Sequence, residues 1–253
     1  MIEVRNLGFK YFNSRKVLSN ISFSINSGEF VLIIGPSASG KTTLAYCISG
    51  IIPHVIDGEI EGEVFFKGIK ISELDFSEIS RDIGVVLQNP EAQIFGMTVE
   101  EDIAFGLENL GFKEDVIERK IDYWLKMFDL VKYKNYNPRF LSGGQKQKLV
   151  IASVLAMEPN VLILDEPFIN LDQRGKYTLL KIILDFKNKG KSIVLIDKKV
   201  TGIIKFVDKV IVLSNDGRLL SVLESEKFLS SRERFEKLGI FPPQNSLHKT
   251  III

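Results

Sequence analysis

One stretch decides the fold of this chain: Gly35-Pro36-Ser37-Ala38-Ser39-Gly40-Lys41-Thr42. It matches the pattern G-x-x-x-x-G-K-[ST], in which glycines let backbone N–H groups turn inward around phosphate oxygens. The apolar run Phe30–Ile34 precedes it and a helical pattern follows from about Lys41, so the positive end of a helix points at the same anion. The pattern predicts a nucleotide-binding loop in which Lys41 reaches the β- and γ-phosphates and the Thr42 hydroxyl binds Mg²⁺. The alternative is an ordinary glycine turn at the start of a helix, which the apolar run before the loop disfavours.

A pair of adjacent carboxylates follows a second apolar run. Val161–Leu164 leads directly into Asp165 and Glu166, and two carboxylates at the mouth of a sheet are costly unless they meet cations or move protons. We expect Asp165 to hold Mg²⁺ and Glu166 to polarise the attacking water as a general base. Taken alone, such a pair caps a helix about as often. The phosphate loop upstream favours the catalytic interpretation.

Composition places the chain among ordinary globular proteins. Of its 253 residues, 33 are basic and 32 acidic, so a net charge of +1 argues against an electrostatically driven nucleic-acid binder. The single cysteine, Cys47, excludes an internal disulfide framework and a zinc site built from cysteines. No signal-peptide pattern opens the sequence, and no apolar run approaches the ~20 residues that span a bilayer. We expect a soluble, cytoplasmic protein.

Strand and helix patterns alternate along the chain. Short apolar runs predict strands, and between residues 91 and 137 the pattern changes to helical periodicity, with an apolar stripe along 114–130. This order predicts an α/β core interrupted by an α-helical insert. The predicted strands are Ile2–Leu7, Val17–Ile25, Phe30–Ile34, Glu61–Lys67, Ile83–Leu87, Val161–Leu164, Ile193–Ile196 and Val210–Leu213, and the predicted helices include Val99–Leu110, Glu114–Leu130 and Gln145–Ala156.

A second anion site is predicted where Leu141-Ser142-Gly143-Gly144-Gln145 opens a helix. Two such sites in one chain, with a helical insert between them, resemble the nucleotide-binding subunit of an ABC transporter over about residues 1 to 225. The resemblance implies a P-loop NTPase core of the ABC ATPase type with an antiparallel β subdomain and an inserted α-helical subdomain. It also implies that this signature motif faces the phosphate loop of a second subunit, so that ATP lies between two chains.

The resemblance implies domain boundaries. Residues 1–90 and 159–230 are expected to form the ATPase core with its β subdomain. Residues 91–158 are expected to form the helical insert that carries the signature motif, and residues 231–253 a short C-terminal tail. Lys146 and Lys148, which flank the signature motif, are interpreted as a solvated helix face.

The resemblance also assigns roles to individual residues. Tyr11 falls where the family stacks an aromatic ring on adenine, and Gln88 matches the Q-loop glutamine, which looks toward Mg²⁺ and the attacking water. Asp172 matches the D-loop at the dimer seam, although Ile169-Asn170 replaces the usual Ser-Ala. Catalytic roles fall to Glu166, Gln88 and Lys198, metal binding to Thr42, Gln88 and Asp165, and nucleotide contacts to Tyr11, Gly35, Pro36, Ser37, Ala38, Ser39, Gly40, Lys41, Thr42, Thr43, Ser142, Gly143, Gly144, Gln145 and Asp172.

A narrower resemblance surrounds the Q-loop. Gln88-Asn89-Pro90-Glu91-Ala92-Gln93-Ile94-Phe95, the following Thr98–Gly106, the stretch Gly50–His54 and the late Leu238–Pro243 are similar to the ATPases of energy-coupling factor (ECF) importers. The resemblance implies import of vitamins or transition-metal ions by two ATPases that drive a membrane scaffold subunit carrying a substrate-binding membrane subunit. The chain would then lie on the cytoplasmic face of the cell membrane, with its membrane partner docked around Gln88 to Phe105.

One departure from the family bears on catalysis. Asp197-Lys198 stands after the strand Ile193–Ile196, where the family usually has Thr-His. Lysine supplies charge to a phosphate but is a flexible point charge, not a flat ring with two hydrogen-bonding ends. We expect the site on this chain's phosphate loop to hydrolyse ATP slowly and the opposite site to carry most turnover, which favours a heterodimer over a homodimer. The alternative is that Lys198 substitutes adequately.

Three other functions compete with an ECF ATPase. The chain could be the ATPase of another ABC system, or a catalytically degenerate, ATP-gated structural partner of a second ATPase. Lys198 favours the degenerate partner and Glu166 disfavours it. A soluble ABC protein that acts on DNA or ribosomes is disfavoured, because the sequence has no long coiled coil, no zinc cysteines and no basic excess. We expect no nucleic-acid partner.

Overall fold

The structure is a computed structural model that describes residues 1–198, 202–231, 235, 236 and 240. Strands and helices alternate along it, as the apolar patterns predict. In order, the described residues form β1 (Ile2–Lys10), β2 (Lys16–Ile25), β3 (Phe30–Ile34), α1 (Lys41–Ile48), α2 (Ile51–His54), β4 (Glu59–Phe66), β5 (Ile69–Lys70), α3 (Phe76–Asp82), β6 (Ile83–Val86), α4 (Val99–Asn109), α5 (Glu114–Met127), α6 (Gly143–Ala156), β7 (Val161–Asp165), α7 (Gln173–Asn188), β8 (Ser192–Asp197), β9 (Lys209–Leu213), β10 (Leu219–Glu224) and α8 (Ser225–Ser230).

The chain divides into two compact units. The first comprises residues Met1–Ser80 and Leu184–Ile253, and the second comprises Arg81–Ile183. The predicted boundaries of core, insert and tail remain a prediction, and most of the predicted tail, 231–253, lies outside the described residues. In the described part of the chain, no helix is long and apolar enough to cross a membrane.

An antiparallel sheet in the first unit has the strand order β2-β1-β4-β5. Val4 of β1 pairs with Phe23 of β2 on one side and with Val64 of β4 on the other. Along β2, Ile21, Phe23 and Ile25 are buried while the serines between them are exposed. This alternation is typical of a strand with one face toward the core and one toward water.

A second group of strands in the first unit is mainly parallel, in the order β10-β9-β3-β8. The central strand β3 is buried along all five residues, as the continuous apolar run predicts for a strand that is covered on both faces. Its last residue, Ile34, pairs with Asp197 of β8 and with Val212 of β9. The carboxyl ends of these parallel strands therefore meet at one edge, where the phosphate loop begins.

The second unit combines two parallel strands with a group of helices. Strands β6 and β7 pair in parallel, with Val86 opposite Leu164. Helices α4, α5 and α6 pack against one another, and α5 contributes its predicted apolar stripe through buried Ile121 and Leu125. Helix α4 begins at a capping box, in which Thr98 and Glu101 each accept a backbone hydrogen bond from the other.

The sequence patterns missed one long element, helix α7. Its buried side chains Leu179, Leu180, Ile183 and Phe186 follow helical spacing. The spacing of these apolar residues thus indicates a helix, which is absent from the predicted elements. The antiparallel sheet, the parallel strands and the helical group confirm the predicted α/β class.

Candidate functional site

The phosphate loop joins β3 to α1 in the first unit. Gly40 precedes the helix with a φ of 84°, a left-handed conformation that favours glycine. A Cβ atom at Gly40 would lie 2.7 Å from the Leu18 side chain and 3.0 Å from the Val17 carbonyl oxygen. Backbone conformation and space therefore both require glycine at the position where the chain turns into the helix.

Lys41 places its positive charge inside this loop. Its side chain is buried, and Nζ donates hydrogen bonds to the carbonyl oxygens of Gly35, at 2.8 Å, and Pro36, at 2.6 Å. A third contact, of 3.3 Å, runs to the hydroxyl of Ser39. An ammonium group held by the loop, together with the N-terminus of α1, is suited to bind phosphate oxygens.

Tyr11 lies beside the helix that follows the loop. Its hydroxyl is 3.1 Å from the Thr43 hydroxyl. Its ring packs edge-on against the Phe9 ring, with 4.8 Å between the ring centres. The ring is only partly buried. The structure thus brings the proposed adenine-stacking residue next to the phosphate loop within the first unit.

Lys198 directly follows strand β8 and lies beside the start of the phosphate loop. Because Ile34 pairs with Asp197 in parallel register, Gly35 and Lys198 are the next residues of two neighbouring strands. The Lys198 side chain is half-buried, and its backbone N–H donates to Asp197 Oδ1 at 2.6 Å. The residue at the switch position therefore lies at the sheet edge from which the phosphate loop departs.

The second unit brings together Gln88 and Glu166, two of the three residues predicted for catalysis, and the predicted metal ligand Asp165. Gln88 follows β6, and Asp165 and Glu166 lie at the end of β7, so the parallel pair delivers all three to one edge. Asp165 is 1% exposed and Glu166 7% exposed. Gln88 Nε2 donates to Glu166 Oε2 at 3.0 Å. Glu166 also has a φ of 49°, and a non-glycine residue held in this region is a strain that clusters at functional sites.

Gln93 shapes the Q-loop, a role that the sequence did not predict. Its Oε1 accepts from the Leu87 N–H at 2.7 Å, and its Nε2 donates to the Val85 carbonyl at 2.9 Å. The side chain of Asn89 caps the same turn by accepting from the Glu91 N–H at 3.1 Å. Gln93 therefore fixes the backbone from which Gln88 projects, although a single sequence does not distinguish it from a surface glutamine.

The signature motif begins α6 with a capping box. Gln145 Oε1 accepts from the Ser142 N–H at 2.8 Å, and the Ser142 hydroxyl accepts from the Gln145 N–H at 3.3 Å. Gly144 lies against the D-loop (Asn170–Asp172), since a Cβ atom there would approach the Asn170 carbonyl oxygen to 2.6 Å. The D-loop thus packs directly on the first turn of the signature helix.

The prediction that Lys146 and Lys148 form a solvated helix face is wrong. Each side chain is only 15% exposed, because each is paired with a loop. Lys146 Nζ lies 2.5 Å from Glu91 Oε1, and this hydrogen bond lowers the pKa of the Glu91 carboxyl. Lys148 Nζ lies 3.2 Å from Asp172 Oδ1. The pKa of the Asp172 carboxyl is lowered, mainly by the hydrogen bond that it accepts from the Gly175 N–H. The hydrogen bond from Lys148 lowers this pKa further.

The predicted metal ligands have the chemistry that Mg²⁺ prefers. They are a hydroxyl, Thr42, in the first unit, and a carboxylate and an amide, Asp165 and Gln88, in the second. Within the described residues there is no cluster of three or more His, Cys, Asp or Glu side chains that could hold a metal. A small number of protein oxygen ligands is typical of Mg²⁺ sites, because the ion keeps waters and substrate phosphates as its other ligands.

A phosphate loop after a buried parallel strand, together with a buried carboxylate pair after another, defines a P-loop ATPase. The family model described as ABC transporter matches residues 18–169. The chain therefore belongs to the ABC transporter family of ATP-binding proteins. This confirms the resemblance that the phosphate loop and signature motif indicated.

Curated relatives carry the same family description. A putative ABC transporter ATP-binding protein of Pyrococcus abyssi is 40% identical over 245 residues, which is 96% of this chain and 87% of that protein. A putative ABC transporter ATP-binding protein of Saccharolobus solfataricus is 36% identical over 247 residues, and the chain spans 46% of its length.

Solved structures match nearly the whole chain. The structure of cbiO1 from Clostridium perfringens, described as part of the ABC transporter complex cbiONQ, is 28% identical with a TM-score of 0.74, covering 98% of this chain and 97% of cbiO1. The ATP-binding cassette MJ0796, solved as a dimer in a post-hydrolysis state bound to ADP and Pi, is 26% identical with a TM-score of 0.77, covering 89% of this chain and 99% of that one. These matches confirm the ABC ATPase fold.

We predict that Gly144→Ala destabilises the protein, because the new Cβ must displace the D-loop carbonyl. Gly143→Ala is the matched control, since a Cβ at Gly143 meets nothing within 4 Å. Overpacking at Gly144 should cost about 1–3 kcal/mol, whereas the control should be neutral or gain up to about 1 kcal/mol in helix propensity. Thermal unfolding of both variants measures this difference. Equal melting temperatures for the two would contradict the packing of the D-loop on the signature helix.

Proposed function

We propose that this chain is the ATP-binding and hydrolysing subunit of an ECF-type importer. The family gives the coarser statement that it is the ABC ATP-binding subunit of a transporter. The observation that carries the finer proposal is the similarity over 98% of the chain to cbiO1, part of the complex cbiONQ. The Q-loop sequence, Gln88–Phe95, supports the same importer type. The cargo would be a vitamin or a transition-metal ion, held by a membrane subunit.

The chain's own residues would perform the hydrolysis as follows. Lys41 and the phosphate loop hold the β- and γ-phosphates. Glu166 accepts the proton of the water that attacks the γ-phosphorus, while the bond to the ADP oxygen breaks. Gln88 holds Glu166 in place through its 3.0 Å hydrogen bond. Thr42, Asp165 and Gln88 would bind Mg²⁺, which supplies positive charge to the phosphate oxygens.

Transport would be driven by closure of an ATPase dimer. Ser142 and Gly144 would meet the γ-phosphate of the ATP that the facing subunit binds, so ATP favours the closed state and hydrolysis releases it. MJ0796, a structural relative, is dimeric. Asp172 would lie at the dimer seam, where its pairing with Lys148 holds the D-loop against the signature helix.

An exposed apolar patch marks where the membrane partner would dock. This docking patch consists of Phe95 and Met97, each 70% exposed, and Phe105, 50% exposed. The Phe95 and Phe105 rings are stacked, with 5.8 Å between their centres. Contiguous exposed apolar groups of this kind are typical of protein interfaces. Docked there, the chain would be a peripheral protein on the cytoplasmic face of the membrane.

Buried Asp102 holds this patch in position. Its Oδ1 accepts from the backbone N–H groups of Phe95, at 2.8 Å, and Gly96, at 3.1 Å. Its Oδ2 accepts from the Ser153 hydroxyl at 3.0 Å. The loop that carries Phe95 is therefore fixed to α4 and α6, so a force applied at the patch reaches the signature helix through hydrogen bonds.

We predict that Phe95→Ser weakens the complex with the membrane subunits, because it removes the most exposed aromatic anchor of the patch. Phe140→Ser, which alters a side chain that is 84% exposed outside the patch, is the control. Affinity purification from detergent extracts through a tag on this chain measures the retained membrane subunits. Retention by the control alone is expected, with ATP binding kept by both variants. Equal retention would contradict docking at the patch, and co-purification of nucleic acid or ribosomes would favour a soluble ABC protein.

The lysine at the switch position supports an asymmetric pair of ATPases. Lys198 lies at the edge where the phosphate loop begins, so its charge could approach the γ-phosphate. A flexible ammonium cannot, however, accept a hydrogen bond from the attacking water while it donates to phosphate, as a neutral imidazole can. The site on this chain's phosphate loop should therefore be slow, and the site that uses this chain's signature motif should carry most turnover. A heterodimer with a related ATPase follows from this asymmetry.

We predict that Lys198→His raises ATP turnover, because the imidazole holds phosphate, water and Glu166 in register. Correct positioning of this kind is worth roughly tenfold or more in rate. Lys198→Ala, which removes the charge without supplying the ring, is the control and should not raise turnover. Steady-state release of phosphate from Mg-ATP measures the effect. An unchanged or lower rate in Lys198→His would mean that lysine is an adequate substitute.

The second candidate function is a catalytically degenerate, ATP-gated structural subunit. Lys198 is the observation that favours it. Buried Glu166, held by Gln88, argues against it, because a subunit that never hydrolyses ATP has no need of a positioned general base. The ATPase of another ABC system would differ in the membrane subunits with which it co-purifies.

A further inference from the structure

A cavity in the first unit lies outside the phosphate loop, the carboxylate pair and the signature motif. It has a volume of about 200 Å³, and both the antiparallel sheet and the helices α1 and α2 line it. We call it the β4 cavity, because Ile60, Gly62, Glu63 and Val64 of that strand belong to its lining. A cavity of about 150 Å³ holds a benzene ring, so the β4 cavity has room for roughly six to eight carbon atoms.

The buried part of the lining is apolar. It includes Leu7 of β1, Cys47 of α1 and Ile52 of α2, each of which is at most 2% exposed. Burial raises the pKa of the Cys47 thiol to about 12, so the thiol is neutral at pH 7. Surfaces of this kind favour the hydrocarbon part of a ligand, because filling the space removes apolar area from water.

The exposed part of the lining, which we call the mouth, is charged. Lys70 and Glu63 form an ion pair at 2.5 Å, and their side chains are 40% and 42% exposed. The hydrogen bond to Glu63 raises the pKa of the Lys70 ammonium, and the charge of nearby Glu73 adds to this rise. The mouth thus carries two carboxylates and one ammonium, an excess of one negative charge that favours a cationic head group.

A β-bulge interrupts the sheet at this cavity. The pairing of β1 with β4 shifts register between Arg5 and Gly8, and Asn6 there has a φ of 48°. Opposite it, Gly62 has a φ of 71°, and a Cβ atom at Gly62 would lie 2.3 Å from the Arg5 carbonyl oxygen. Bulges recur beside functional sites, where they redirect side chains and interrupt regular pairing. The cavity therefore lies where a specific backbone geometry breaks the ladder.

The helices of the lining are tied to the charged mouth. His54, at the end of α2, donates from Nε2 to the Ile71 carbonyl at 2.9 Å. Its ring also lies 5.7 Å from the Phe76 ring, centre to centre. These contacts connect α2 to the turn Ile71–Glu73, which carries Glu73. A lining held in this way lowers the entropic cost of binding a ligand.

We propose that the β4 cavity binds a small amphipathic amine, whose aliphatic body fills the space beside Leu7 and Cys47 and whose ammonium group binds Glu73 at the mouth. An ammonium group donates three hydrogen bonds and suits an exposed carboxylate. The bound amine would contact α1, the helix that begins at the phosphate loop with Lys41. The proposal goes beyond the proposed function, since it requires neither ATP nor a membrane subunit.

The test titrates hexylamine into the purified chain and measures its dissociation constant by NMR. Saturable binding with a Kd below about 1 mM is expected from a ligand of this size. Hexanoate, which has a similar body and the opposite charge, should bind at least about tenfold more weakly. Butylamine should lose about fourfold in affinity for each methylene removed, because less apolar area is buried.

Variants of Glu73 locate the head group. Glu73→Gln should weaken hexylamine binding about tenfold, because it removes a charge-assisted hydrogen bond. Glu73→Lys should reverse the preference, so that hexanoate binds more tightly than hexylamine. Glu78→Gln is the matched control, since Glu78 is also an exposed carboxylate but does not line the cavity. Both positions are exposed, so equal melting temperatures are expected for all variants.

Three results would overturn the amine site. They are no saturable binding of hexylamine up to about 10 mM, equal Kd values for hexylamine and hexanoate, and equal weakening by Glu73→Gln and Glu78→Gln. The last result would mean that the amine is attracted to surface carboxylates in general. Each of them leaves the proposed function standing, because the assay contains no ATP and no membrane subunit.

Discussion

Parallel pairing of buried strands is the constraint on which the rest of the molecule depends. In the first unit, the register that sets Ile34 opposite Asp197 brings the start of the phosphate loop and Lys198 to one edge. In the second unit, the register that sets Val86 opposite Leu164 brings Gln88 to Asp165 and Glu166. A shift of one residue in either pair would separate these groups. The apolar runs of the strands therefore determine which polar side chains meet.

The signature helix connects the functional loops of the second unit. Lys146 ties it to Glu91 in the Q-loop, and Lys148 ties it to Asp172 in the D-loop. Asp102 adds a link from the docking patch to Ser153 on the same helix. Glu91 and Asp172 are 66% and 65% exposed, so each of these two ion pairs contributes modestly, whereas Asp102 is buried. Under the proposed function, docking of a membrane partner, pairing with a second subunit and placement of Gln88 would therefore all act on the signature helix.

Local sequence patterns predict much of the fold and of the candidate site. The phosphate loop, the run into Asp165-Glu166 and the alternation in β2 each depend on residues close in sequence, and the structure places them as expected. The pairing of Lys146 with Glu91 joins residues that are 55 positions apart, and no single sequence shows such a contact. Gln93 binds Leu87 and Val85, only six and eight positions away, but a single sequence does not distinguish its side chain from that of a surface glutamine. Helix α7 is different, because its apolar spacing is visible in the sequence although the helix is absent from the predicted elements.

The central claim is that ATP turns over between two subunits, mainly at the site completed by this chain's signature motif. The most direct measurement compares Ser142→Arg with Glu166→Gln in the complex purified through this chain. Ser142→Arg fills the cavity that Ser142 and Gly144 line and should reduce turnover by about tenfold or more. Glu166→Gln affects only the slow site and should leave most turnover in place. A larger loss in Glu166→Gln than in Ser142→Arg would contradict the account, because this chain's own phosphate loop would then be the principal catalytic site.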